Sequence, residues 1–140
     1  MKFLDTNIFL RFLAQPQTPL DQQKQAACLT LFQRVRGGQE TVTTTEVVIA
    51  EVLYNLCSPR QYKLSHADAA ARLRPLLNLG SLKIPNKNVY LRALDLFAEK
   101  SFLDFEDTVI AAHMERQGIT ELYSYDTDFD QVAGITRQEP

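Results

Sequence analysis

Short apolar runs alternate along the chain with longer segments in which apolar residues recur every three or four positions. The short runs are typical of buried strands, and the longer segments are typical of helices that bury one face. The predicted strands are Lys2–Leu4, Thr41–Thr43, Leu82–Ile84, Leu122–Ser124 and, at the end, Ile135–Arg137. Strands separated by helices indicate βαβ units, in which helices cover both faces of a parallel sheet.

Six segments carry the helical pattern, and polar caps, Gly or Pro mark their ends. The predicted helices are Ile8–Leu13, ended by Pro16; a segment capped by Asp21 and closed by Gly37; one running from Val47 to Leu56; one opened by Ser65; Val89–Lys100; and one from Asp104 to Gly118. The pattern predicts a three-layer α/β/α, Rossmann-like fold with a short central parallel sheet of four to five strands.

Composition limits the possible classes of protein. The chain has 140 residues, of which 45% are apolar and 23% charged, which suits a single domain over residues 1–140 and excludes disordered and collagen-like classes. With a net charge of −2, the protein is not expected to bind nucleic acid through an overall excess of positive charge. Cys28 and Cys57 are expected to be reduced thiols. No segment is apolar enough for a membrane span, so we expect a cytoplasmic protein.

Acidic residues fall where the chain leaves the predicted strands. Asp5 directly follows the first strand, Asp126 follows the fourth, and Asp104 and Asp107 open the helix before the fourth strand. Ligands of such sheets bind beyond the carboxyl ends of the strands. Clustered carboxylates repel each other, and all-oxygen ligands favour Mg²⁺ or Mn²⁺. Because these ions promote phosphoryl chemistry, the pattern indicates phosphodiester hydrolysis.

Each of these acids also has a structural interpretation. Asp5 and Asp104 stand where helix N-caps are expected. Glu46 follows Thr43 at capping-box spacing, which favours a structural role for it. Glu51 lies among apolar neighbours on the same helix, where burying an unpaired carboxylate is costly, so Glu51 is the better metal ligand.

Four segments together resemble the motifs of PIN-domain nucleases. The matching segments are Phe3–Asn7, Glu46–Leu56, Leu103–Ala112 and, near the end, Ser124–Asp126 followed by Asp128-Phe129. The resemblance covers residues 1 to about 137, nearly the whole chain. Length and layout are most similar to VapC-type toxins of bacterial and archaeal toxin–antitoxin pairs.

The resemblance implies a metal-dependent endoribonuclease that is dimeric and held inactive by an antitoxin protein. It assigns Asp5, Glu51, Asp107 and Asp126 to a catalytic site with one or two Mg²⁺ or Mn²⁺ ions, where activated water attacks the RNA phosphodiester. The expected polar supports of this site are Thr6, Asn7, Ser124, Asp104 and Asp128. Whether Asp104, Asp128 or Asp130 assists Asp126 is left open at this point.

Proteins of other classes also place an acid after the first strand. A haloacid-dehalogenase-like phosphatase needs a second Asp at the position of Asn7, and a receiver domain needs a Lys near its end, where none is found. A PIN-like module that only binds RNA or protein remains the main alternative. Residues that are candidates for RNA contact are Arg11, Arg60, Lys63, Lys87 and Arg116 for phosphates, with Tyr54, Tyr62 and Phe102 for bases.

Overall fold

All five predicted strands and all six predicted helices form in the computed structural model, which describes residues 1–140. The elements, in chain order, are β1 (Lys2–Phe3), α1 (Thr6–Leu13), α2 (Pro19–Arg36), β2 (Val42–Thr43), α3 (Glu46–Cys57), α4 (His66–Leu77), β3 (Leu82–Lys83), α5 (Lys87–Glu99), α6 (Phe105–Gln117), β4 (Glu121–Tyr123), a short 3₁₀ helix (Thr127–Gln131) and β5 (Thr136–Gln138). The 3₁₀ helix is the one element that the apolar pattern does not predict.

The strands pair only in parallel, in two ladders. In the first ladder β2 lies between β1 and β3, and Val42 is in register with Lys2 on one side and Leu82 on the other. In the second ladder β4 pairs with β5, with Leu122 opposite Arg137. The helices flank these strands, so the predicted α/β class and parallel sheet are confirmed. Since β1, β2 and β3 run parallel, the segments that follow them leave the sheet at one edge.

Two helix starts differ from the prediction. The cap of α2 is Thr18, whose hydroxyl accepts the Asp21 amide at 3.1 Å, because Pro19 suits the first helical position. The cap of α3 is Thr45, so the predicted capping box from Thr43 is wrong. The other caps agree with the sequence: Ser65 caps α4, Asp104 precedes α6, and Gly118 ends α6 with a positive φ of 70°.

A cluster of 28 buried residues forms the core between the helices and the strands. Its members include Val42 and Leu82 from the sheet and Phe9, Leu53 and Leu94 from three helices. Cys28 is buried and Cys57 half-buried, and both thiols are free. None of the helices is both long and apolar enough to cross a membrane.

Two hydrogen bonds fix the point at which the chain leaves β1. The Leu4 amide donates to the Thr43 carbonyl at 2.8 Å, and the buried Thr44 hydroxyl donates to the Leu4 carbonyl at 2.9 Å. These contacts join the end of β1 to the end of β2, immediately before Asp5 and the start of α3. They therefore hold two predicted parts of the site together.

The substitution Thr44→Val should lower the free energy of unfolding by about 1–3 kcal/mol, because the buried Leu4 carbonyl loses a donor while side-chain volume is kept. Thr41→Val is the matched control: Thr41 is exposed, and the same change there should cost much less. Urea unfolding of both variants measures the difference. Equal losses would show that the Thr44 bond does not fix the end of β1.

Candidate active site

The start of α1 contacts α3 through a side-chain hydrogen bond. Thr6 is buried at the start of α1, and its hydroxyl donates to the Glu51 carboxylate at 2.8 Å. Asp5 precedes Thr6 and is exposed. The structure thus links the first predicted motif to the second through Thr6 and Glu51, with Asp5 beside this contact in the chain.

A second acidic group surrounds the start of α6. Asp107 is half-buried, and its pKa is raised above the ordinary value by burial and then by four neighbouring carboxylates. Those neighbours, in order of decreasing effect, are Asp126, Asp104, Glu106 and Asp128. The fold therefore brings the third and fourth predicted motifs close enough for their charges to repel.

Asp126 is held by its own local turn. The Ser124 hydroxyl accepts the Asp126 amide at 3.0 Å, and one Asp126 carboxylate oxygen accepts the Asp128 amide at 2.9 Å at the start of the 3₁₀ helix. Ser124 therefore orients the loop that carries Asp126. Asp126 also has a structural function as the cap of this 3₁₀ helix.

Asp5 and Asp104 occupy N-cap positions without performing the usual hydrogen bonding of a cap. Neither side chain accepts a hydrogen bond from its helix, whereas Thr18, Thr45 and Ser65 all do so in α2, α3 and α4. The helix dipole still favours a negative charge at these positions. Because their carboxylates are not engaged by the helix amides, both are available to another partner.

The prediction that Glu51 is buried among its apolar neighbours is wrong. Glu51 is exposed, because the buried face of α3 is formed by Ile49, Val52, Leu53 and Leu56. The structural role of Glu46 is supported by a different contact from the expected one: Tyr90 of α5 donates its hydroxyl to the Glu46 carboxylate. Burial and this carboxylate raise the pKa of Tyr90 to about 12. Although five residues apart, Glu46 and Glu51 border the same groove between α3 and α6.

Other candidates are engaged elsewhere. Asp130 forms a two-pronged ion pair with Arg137 at 2.9 and 3.1 Å, which lowers the Asp130 pKa. Asn7 borders a small cleft with Arg11 and makes no side-chain hydrogen bond to the acids. Arg11 itself pairs with Asp21. These contacts remove Asp130 and Arg11 from the residues that are free to serve the site.

Glu106 is a neighbour of Asp107 that the sequence motifs do not single out. It raises the pKa of Asp107 and borders both grooves that meet at the start of α6, one beside Asp107 and one beside Glu51. Its position two residues after the predicted N-terminal cap Asp104 and directly before Asp107 is the signal in the sequence that points to it.

The donor set fits a hard divalent cation by its chemistry. All the acidic groups supply oxygen, the ligand that Mg²⁺ and Mn²⁺ prefer. The mutual repulsion around Asp107 is the electrostatic cost that such a cation relieves. No group of three or more acidic, histidine or cysteine side chains lies at ligating distances.

Comparison with known families agrees with this arrangement. The PIN domain family matches residues 2–135 of the chain, and the chain therefore belongs to the PIN domain family. Members of this family are typically nucleases that use divalent metals and act on nucleic acids. A comparison with curated proteins found no significant match.

The substitution Asp107→Asn should stabilise the metal-free protein at neutral pH. Because folding raises the pKa of Asp107 above 3.8, the folded state binds this proton more tightly than the unfolded chain does. The free energy of unfolding therefore falls as pH rises from 3.8 through the raised pKa. Asn cannot ionise, so the gain in Tm should be largest at neutral pH and shrink toward pH 3.8.

Asp68→Asn is the matched control, because Asp68 holds in α4 the same third helical position that Asp107 holds in α6. Asp68 is exposed and should lose only a small dipole interaction, with a slightly lower Tm. Thermal unfolding of the three proteins in EDTA at several pH values measures both effects. A lower Tm for Asp107→Asn at neutral pH would contradict the repulsion described above.

Proposed function

We propose that the chain is a Mg²⁺- or Mn²⁺-dependent endoribonuclease that hydrolyses RNA phosphodiester bonds. The observation that carries the proposal is the half-buried Asp107 at the start of α6, whose pKa is raised by burial and by four neighbouring carboxylates. Neighbouring carboxylates repel each other when they are ionised, and a bound cation offsets this repulsion. Membership of the PIN domain family supports the same chemistry. We take residues 1–140 as one nuclease domain.

In this proposal Asp5, Glu51, Asp107 and Asp126 hold one or two cations. When bound, such ions lower the pKa of water and neutralise the charge that develops on the phosphoryl group. The protein's own part is to fix these acids: Thr6 holds Glu51, and Ser124 orients the turn that carries Asp126. The further supports that we propose are Asn7, Asp104 and Asp128.

We also propose that the protein is a VapC-type toxin that forms a homodimer and is inhibited by an antitoxin in the cytoplasm. The layout of the four motifs supports this subtype. Val47, Tyr54 and Ile110 are 69%, 74% and 41% exposed along α3 and α6, and clustered exposed apolar residues are typical of surfaces that other proteins cover. Two of them, Val47 and Ile110, border the groove that also contains Glu51.

The alternative function is a PIN-like module that binds RNA or protein without cleaving it. One observation favours it: the acidic side chains do not converge to ligating distances in the structure. The two functions differ in whether removal of a site carboxylate changes RNA cleavage.

Asp107→Asn and Asp5→Asn should each reduce Mg²⁺-dependent RNA cleavage by about 100-fold or more without unfolding the protein, since electrostatic stabilisation of a transition state is typically of this size. Glu51→Gln should also reduce cleavage strongly. Cleavage of labelled single-stranded and hairpin RNA, with circular dichroism to confirm folding, measures these effects.

Glu46→Gln is the matched control for Glu51→Gln, because it makes the same change on the same helix. The Gln oxygen still accepts the Tyr90 hydroxyl, so Glu46→Gln should retain most of the cleavage. An equal loss in the two variants would show that the wrong acid of α3 has been assigned. Full cleavage by Asp5→Asn and Asp107→Asn would rule out the proposed site.

A further inference from the structure

A cleft of about 540 Å³ opens beside Asp107, between α3, the start of α4, α5 and the start of α6. Aromatic rings connect its walls. The imidazole of His66 stacks on Phe97 with ring centroids 3.8 Å apart and planes 12° apart, and Phe97 meets Phe105 edge to face at 6.2 Å. Phe97 and Phe105 are buried, so this side of the cleft is a packed, apolar surface.

The polar groups of the cleft are mainly hydrogen-bond acceptors. The Nδ1 atom of His66 lies 3.2 Å from the Phe97 carbonyl oxygen, which can only accept, so Nδ1 carries the proton. In the neutral ring Nε2 is then an acceptor. The carboxylates of Asp104 and Glu106 are acceptors as well, and no Lys or Arg borders the cleft. The cleft therefore offers no positive charge to a phosphate and suits an uncharged group that donates hydrogen bonds.

Tyr54 supplies an exposed ring at the same cleft. It lies on α3, its side chain is 74% exposed, and its hydroxyl has no hydrogen-bond partner in the protein. Single-stranded RNA is commonly held by bases that stack on exposed aromatic side chains of this kind. The ring, the acceptors and Asp107 all border one cleft, which places a base-sized site next to the proposed catalytic acid.

We propose that this cleft binds a nucleobase adjacent to the cleaved bond and prefers guanine. This inference rests on the proposed ribonuclease function and names a specificity site for it. The base stacks on Tyr54, and its N1–H and N2–H₂ groups donate to the Glu106 carboxylate, with His66 Nε2 as a further acceptor. Guanine is the RNA base that presents two adjacent N–H donors on its pairing edge, whereas uracil presents one donor between two carbonyls that carboxylates repel.

Neutral nucleosides test the proposal without phosphate or metal. Guanosine, inosine and uridine are titrated into the ¹⁵N-labelled full chain in EDTA, and the shifts of backbone amides bordering the cleft give each Kd. Inosine lacks only the 2-amino group of guanosine. Guanosine should bind about tenfold more tightly than inosine or uridine, the size expected for loss of one bidentate contact.

Substitutions at Tyr54 and Glu106 distinguish stacking of the base from hydrogen bonding to its edge. Tyr54→Ala should weaken guanosine binding by about fivefold or more, while Tyr54→Phe, which keeps the ring, should bind as the wild type does. Glu106→Gln should remove the difference between guanosine and inosine. Both residues are exposed, so these changes leave the core intact.

Equal affinity for the three nucleosides, or no shift of the amides at the cleft, would overturn the inference. RNA cleavage assays distinguish this failure from failure of the proposed function. Metal-dependent cleavage without guanosine binding would contradict the specificity site alone. Guanosine binding without any cleavage would contradict the ribonuclease assignment, and with it the placement of the base beside a cleaved bond, while leaving a guanine-binding cleft.

Discussion

The parallel pairing of β1 with β2 is the constraint on which the rest of the site depends. Because both strands run in the same direction, Leu4 and Thr44 leave the sheet together and are joined by a buried hydrogen bond of 2.9 Å. The helices that follow then start side by side, and Thr6 of α1 reaches Glu51 of α3 at 2.8 Å. Two residues 45 positions apart are thus placed by a sheet only two residues long in each strand.

The second determinant of the site is the free-energy cost of keeping Asp107 ionised near other carboxylates. Asp107 is half-buried among acids, and folding accordingly raises its pKa. Elsewhere in the protein the acids are matched with cations or donors: Asp130 with Arg137, Asp21 with Arg11, and Glu46 with Tyr90. These three carboxylates each have a cationic or hydrogen-bonding partner within the protein, whereas the acids around Asp107 have none that offsets their mutual repulsion. The unmatched group around Asp107 is therefore the part of the surface most suited to an external cation, and it is where we place the nuclease chemistry.

The helices and strands were predicted from the sequence more accurately than the burial and contacts of the acidic side chains. Apolar periodicity, Ser65 and Gly118 are local signals, and the helices they predict form as expected. The caps Thr18 and Thr45 were missed because neighbouring residues offered similar local chemistry. The exposure of Glu51 and the contact of Tyr90 with Glu46 depend on how helices pack across 44 or more residues, which no local pattern contains. Membership of the PIN domain family was indicated by four short motifs, and their order carried more information than any one of them.

We propose that the acids following β1 and those opening α6 form one divalent-cation site. Thermal unfolding of the wild type and Asp5→Asn in EDTA, Mg²⁺ and Mn²⁺ tests it most directly, because a cation that binds only the folded state raises its Tm. We expect millimolar Mg²⁺ or Mn²⁺ to raise the Tm of the wild type and Asp5→Asn to lose most of this rise. An equal rise in both proteins, or no rise in the wild type, would contradict the claim.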